Sequence, residues 1–130
     1  MFSNSTKYAI RTVLHLARTP NRKFTVHELS EELKIPAPFL SKILQQLSRN
    51  SVISSVKGRG GGFFLNDENQ NLKMIDVIIS MEGSDVFDNC ILGLPECSGK
   101  NPCWMHEDFS DFKKRMEEKL YKFSIKEVIG

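Results

Sequence analysis

The spacing of hydrophobic positions changes several times along the chain, and each change marks an element. Over residues 6–18 the apolar Ala9, Ile10, Val13, Leu14, Leu16 and Ala17 recur as one helical face, and Pro20 ends the run. In "TVHE", Thr25 stands as an N-cap with Glu28 three residues on, a capping-box pattern, and Val26, Leu29 and Leu33 form a short stripe ending near Lys34. "IPAP" interrupts, because a proline restrains the residue before it and has no amide hydrogen, although Pro38 suits a first helical turn. A third helix to about Asn50 then carries Leu40, Ile43, Leu44 and Leu47 on one face, with Pro38, Lys42, Gln45 and Arg49 opposite.

Beyond residue 50 strand signals replace the helical period. "SVISSV" (51–56) reads as a β-branched strand, the glycines of "VKGRGGG" as a turn, and "GFFL" (62–65) as the returning strand. A helix-turn-helix followed by a β-hairpin is a winged helix. "NLKMIDVIISMEG" (71–83) predicts one further helix with Leu72, Ile75, Ile78 and Ile79 inward. After an irregular stretch a last helix is expected from Asn101 as N-cap, with Pro102 in its first turn and Glu107 and Asp108 at the positive end of its dipole. Met105, Phe109, Phe112, Met116, Leu120 and Phe123 run along it as a stripe of large side chains. The predicted fold is mainly α with a small β-hairpin wing. Residues 1–83 form a winged helix-turn-helix domain for DNA, and residues 84–130 a cysteine loop and a long dimerisation helix. The stripe exceeds what the first domain needs to close its core, so part of it is expected to pack on a second copy, giving a homodimer.

Composition narrows the function classes. With 40% hydrophobic and 26% charged residues in 130, the chain suits one globular unit and is not disordered. Its apolar runs are too short for a membrane span or a secretory signal, so a cytoplasmic protein with no membrane partner is expected. The net charge of +2 hides an asymmetry: ten Lys/Arg against three Asp/Glu up to Leu65, and eight against thirteen beyond it. The first half is the one suited to a polyanion, here double-stranded DNA.

The glycine segment fits neither nucleotide motif. No Lys-Ser/Thr pair follows it as a phosphate loop requires, and a strand follows where a dinucleotide fingerprint needs a helix. Gly58, Gly60 and Gly62 instead mark positions of positive φ or close approach. Lys57, Arg59 and Gly60 then form the tip of a DNA-contacting wing, the alternative being a solvated turn. On the third helix Ser41, Lys42 and Gln45 are the candidates for base edges and Arg49 for a phosphate, with Pro38 and Phe39 on the leading turn also assigned to DNA. His15 and His27 read as structural.

Cys90, Cys97, Cys103 and His106 are spaced C-x6-C-x5-C-x2-H. An odd number of cysteines without an export signal argues against a disulfide framework. Three thiolates and an imidazole suit a single zinc by ligand count, while the long gaps suit a bulkier inorganic core. A thiol enzyme with Cys103 as nucleophile lacks any recognisable oxyanion site, so neither an enzyme nor a small-molecule substrate is expected.

The opening "KYAIRTVLHLA", the wing "SSVKGRGGGFFL", the three cysteines and the helix after them together resemble the IscR/NsrR family of bacterial winged-helix regulators. The resemblance covers nearly the whole chain. It implies a homodimeric transcriptional regulator whose operator binding is controlled by an iron-sulfur cluster sensing iron-sulfur status, oxidative stress or nitrosative stress. Cys90, Cys97 and Cys103 are the implied ligands, holding a 2Fe-2S core in preference to 4Fe-4S, with a structural zinc or thiol-based redox sensing as the alternative. NsrR members place an acidic ligand before the tyrosine of the first helix, where this chain has Lys7 before Tyr8; His106 resembles the IscR arrangement instead. The first cysteine gap is one residue longer than in IscR. Arg59 resembles the family's minor-groove cation, and the helix bearing Ser41 and Lys42 its major-groove reader.

Overall fold

A computed structural model describes residues 2–90 and 92–130. The order of elements is α1 (Asn4–Ala17), α2 (Val26–Leu33), α3 (Ala37–Arg49), β1 (Ser54–Val56), β2 (Gly62–Phe64), α4 (Asp67–Gln70), α5 (Met74–Glu82), α6 (His106–Lys122) and α7 (Ile125–Ile129). The start of α2 follows the sequence signal: Thr25 Oγ1 accepts from the Glu28 amide and Glu28 Oε1 from the Thr25 amide, both at 3.1 Å. The helix stops at Lys34, which takes the left-handed conformation at φ 58°. Three residues later, at Ala37, α3 begins, with Pro38 in its first turn.

One core joins these elements. Val13 and Leu16 of α1, Leu29 of α2, Leu40, Leu44 and Leu47 of α3, and Ile53 and Leu65 flanking the hairpin are all essentially inaccessible to solvent. The two strands pair antiparallel, with Ser54 opposite Phe64 and Val56 opposite Gly62. Close approach explains two of the glycines: a Cβ on Gly61 would lie 2.0 Å from the Val56 carbonyl oxygen, and one on Gly62 2.5 Å from that of Phe24.

Four boundaries differ from the sequence expectation. The first strand is Ser54–Val56 instead of 51–56, because Val52 and Ile53 sink into the core and Ser51 turns the chain at φ 61°. Phe24 supplies a one-residue third strand, exchanging amide hydrogen bonds with Phe63 at 2.8 and 2.9 Å. The single helix expected over 71–83 is two, α4 and α5, with Met74 and Val77 buried beside Ile75 and Ile78 while Leu72 and Ile79 stay half-buried. The short α4 serves as a clamp. Asn69 Oδ1 accepts from Ser54 Oγ at 2.8 Å and from the Asn66 amide at 2.9 Å, and its Nδ2 donates to the Ser51 carbonyl at 3.3 Å, fixing the base of the hairpin.

The last helix starts at His106, not Asn101. The Cys103 amide donates to Cys97 Sγ at 3.3 Å and the Cys103 carbonyl accepts from the His106 amide at 3.1 Å, so these residues close a turn ahead of the helix. At its other end α6 stops at Phe123, and α7 returns to the core. Met74 donates its amide to the Phe123 carbonyl and Ile125 its amide to the Leu72 carbonyl, at 3.0 and 2.9 Å, and Ile125 is fully buried.

Candidate DNA interface and metal centre

The helix-turn-helix presents α3 outward. Leu40, Ile43, Leu44 and Leu47 hold its inner face, leaving Pro38, Phe39, Lys42, Gln45 and Arg49 exposed and Ser41 half-buried. The wing stands beside its C-terminal half: Ser48 Oγ and Ser55 Oγ lie 3.1 Å apart. Gln45, Arg49, Val56, Lys57 and Phe63 line the cleft between helix and hairpin, so three of the sequence candidates share one surface. Pro38, Phe39 and Lys42 lie further along the helix, outside that cleft. Arg59 and Gly60 occupy the hairpin tip, where Gly61 donates to the Gly58 carbonyl at 3.0 Å and Gly60 has φ 77°, the positive value a type II turn needs at its third position.

Two cations were not among the sequence candidates. Arg22 lies 4.6 Å from the Phe24 ring centre and Lys23 5.5 Å from that of Phe64. Side chains alternate along β2, so Lys23 covers the face of the wing that Phe63 does not share. The Lys23-Phe24 step next to a one-residue strand was the only signal. His15 is 3.7 Å from Glu32 and tilts against Phe24, while His27 is exposed, 3.3 Å from Glu31.

The three cysteine sulfurs converge, all within 4.8 Å of one another. Cys90 Sγ and Cys103 Sγ are 3.8 Å apart, and Cys97 Sγ is 3.6 Å from His106 Nδ1. All four residues are half-buried. Their loop hangs between α5 and the start of α6, with Lys113 Nζ donating to the Asn89 carbonyl at 2.9 Å. Backbone amides of Leu94 and then Leu92, aided by the Cys97 and Cys103 thiols, outweigh burial and lower the Cys90 thiol to about 7. The Cys103 amide favours a thiolate on Cys97, but burial and the neighbouring Cys103 and Cys90 sulfurs outweigh it and hold that thiol above its ordinary value. The Cys90 thiol thus ionises more readily than that of Cys97, and the cluster of soft donors suits a soft or borderline metal.

Among solved structures, CymR, the global cysteine regulator of B. subtilis, superposes with a TM-score of 0.76 at 15% identity, covering 99% of this chain and 95% of its own. T. potens IscR does so with 0.72 at 22%, covering 99% and 85%. Both share the winged-helix fold. The model of the Rrf2 family, described as an iron-dependent transcriptional regulator, matches residues 2–130. The chain belongs to the Rrf2 family. A helix-turn-helix transcriptional regulator of Aquifex aeolicus is 32% identical over all of this Rrf2 chain and 92% of its own length. IscR of Photorhabdus laumondii is 26% identical over 95% of this chain and 76% of its own. The Rrf2 assignment makes the protein a DNA-binding transcriptional regulator and not an enzyme. Among the described residues no helix is long and apolar enough to cross a membrane.

Proposed function

We propose that this Rrf2 protein is a homodimeric regulator whose operator affinity is set by an iron-sulfur cluster held by Cys90, Cys97, Cys103 and His106. The observation that carries the reading is the convergence of three sulfurs within 4.8 Å of one another ahead of α6, with His106 Nδ1 3.6 Å from one of them, Cys97 Sγ. Cys90 Sγ lies beside Cys103 Sγ and Cys97 Sγ beside His106 Nδ1, and four such donors would suit a two-iron core. When bound, such a core supplies one-electron chemistry and sensitivity to oxidants and nitric oxide. A second reading, a single zinc, draws support from the same 3.8 Å sulfur separation, since two thiolates about 2.3 Å from one tetrahedral ion lie that far apart.

The chain's own residues link this site to DNA. The loop leaves α5 at Gly83, three residues beyond Ser80. The Ser80 carbonyl accepts from Gln46 Nε2 at 2.9 Å, and Ser80 Oγ lies 3.1 Å from Asn50 Nδ2, so the end of α5 is tied to the back and the end of α3. Displacing the loop therefore pulls on the helix proposed to enter the major groove, with Ser41, Lys42 and Gln45 meeting bases, Arg49 a phosphate, and Lys57 and Arg59 the adjacent backbone or minor groove. Residues 84–130 act as the regulatory and dimerising part. Along α6 no residue is buried, and Phe112, Tyr121 and the preceding Trp104 stand open, an apolar surface suited to a second copy. Breaking two or three base or phosphate contacts worth about 1–3 kcal/mol each changes operator affinity by orders of magnitude.

The test is a visible absorption spectrum with iron and sulfide analysis of protein purified without oxygen, beside a Cys97→Ala variant. Visible bands with matching iron and sulfide, lost in the variant, are expected. A colourless protein containing zinc would replace the cluster with a structural ion.

A further inference from the structure

The reading of α3 as a major-groove helix, on which this inference rests, leaves its leading turn without a role of its own. Pro36, Ala37, Pro38 and Phe39 are four consecutive apolar residues, all exposed, and Phe39 keeps 60% of its surface open. Leu40 behind them is fully buried, so the turn is held firmly while its outer surface covers nothing in the chain. Such a run is a defect unless something covers it. The surroundings select the occupant. The turn has no acidic residue, and Lys42, Gln45 and Arg49 continue along the same open side, which favours a polyanion over a second protein surface.

None of the four exposed side chains can donate to a phosphate. Of the backbone, Pro36 and Pro38 have no amide hydrogen and the Leu40 amide donates to the Pro36 carbonyl at 3.0 Å, which leaves the Ala37 and Phe39 amides for phosphate oxygens and the side-chain surface for an apolar group. The base edges of the major groove offer one apolar group, the 5-methyl of thymine. Cytosine and both purines lack that methyl and present only polar groups at their major-groove edges.

We propose that the leading turn of α3, centred on Phe39, is a methyl-reading surface that selects operator half-sites carrying thymine at the base it faces. Ser41 and Lys42 then read polar edges beside it, and the apolar turn adds selectivity that hydrogen bonds from those two cannot supply.

The experiment starts with duplexes selected by the full chain from a randomised pool, its cofactor state held constant. Each thymine of the selected duplex is replaced in turn by uracil, which removes only the methyl group, and affinity is measured at fixed salt for the parent, Phe39→Ala and Lys42→Ala. One thymine per half-site should respond, with uracil weakening the parent about fourfold, the value of burying one methyl group. Phe39→Ala should show no response at that base, while Lys42→Ala keeps it. Uracil without effect at every position, with Lys42→Ala still weakening binding, would overturn the methyl reading and leave α3 in the groove. If neither variant changes affinity, the placement of α3 fails and the proposal with it. Sedimentation of both proteins covers the other occupant: a Phe39→Ala variant that dissociates while retaining the uracil response assigns the turn to a second copy and refutes the proposal.

Discussion

The winged helix and the cysteine segment are built on opposite principles. Residues 4–82 bury their large aliphatic side chains against one another in a single cluster, with α1, α3 and α5 as its walls. From Gly83 to Met105 the described residues bury only Val86, and Trp104 keeps 76% of its surface open. The first region is held by apolar contacts, which Ile125 of α7 completes, because a leucine gains its free energy from apolar neighbours in the same chain. In the second, what converges is three thiols, groups that suit a soft or borderline metal better than they suit each other.

The largest test of that contrast is in the core. Leu44→Ala should lower unfolding free energy by about 2–5 kcal/mol by denaturant titration, the cost of a buried leucine plus the cavity it leaves. A small loss would mean that the core is not the closed unit its burial implies.

A smaller effect is expected where the two regions meet. Glu82, the last residue of α5, accepts hydrogen bonds from Thr6 Oγ1 and from the Ser3 amide, the latter at 2.9 Å. Burial raises its carboxyl, but these bonds outweigh burial and hold it below the ordinary 4.5. A depressed carboxylate contributes stability that is present above its unfolded value and lost as pH falls through the folded one. Thr6→Val should therefore cost about 1.5 kcal/mol at neutral pH, the low end for a hydrogen bond to a charged group. Its charge-dependent part should shrink as pH drops below 4.5, as thermal unfolding over a pH series would show. A cost that does not change with pH would remove the charge from the explanation.

The smallest effect leaves stability alone and reads the sulfur site directly. In metal-free protein at pH 7, iodoacetamide should label Cys90 faster than Cys97, because the Cys90 thiol lies at about 7 and that of Cys97 above the ordinary 9.0. Mass spectrometry of timed samples gives the order. Equal rates at both positions would show that the sulfurs converge only around a cofactor, and the contrast between the regions would sharpen.

What the sequence made legible divides along the same line. Periodic leucines located α1 and α3, and the Thr25/Glu28 capping box located the start of α2, because these features act over a few residues. Glycines marked the hairpin, since Gly61 and Gly62 face backbone oxygens where no Cβ fits. The strand at Phe24 was invisible, because one residue has no period and its partner Phe63 is distant in sequence. So was the clamp by Asn69, whose reciprocal bonds with Asn66 use two asparagines instead of the usual hydroxyl and glutamate. Asn101 and Pro102 looked like a helix start, yet the Cys103 amide bonds to a sulfur and the helix begins three residues later. Spacing listed the four site residues as candidate ligands. It could not show that three sulfurs come within 4.8 Å of one another, because that depends on how a loop without periodicity folds back upon itself.

The double hydrogen bond that holds Phe123 and Ile125 to the junction of α4 and α5 also gives α6 a fulcrum. With 17 residues the helix is an arm about 25 Å long, so a rotation of about 5° at Phe123 swings the His106 end by about 2 Å. Run in reverse, a displacement of that size among the sulfurs reaches the fulcrum as a small angle with a large mechanical advantage. Such gearing lets a shift at one end of α6 be felt as a turn at the other without prising apart the leucines between them.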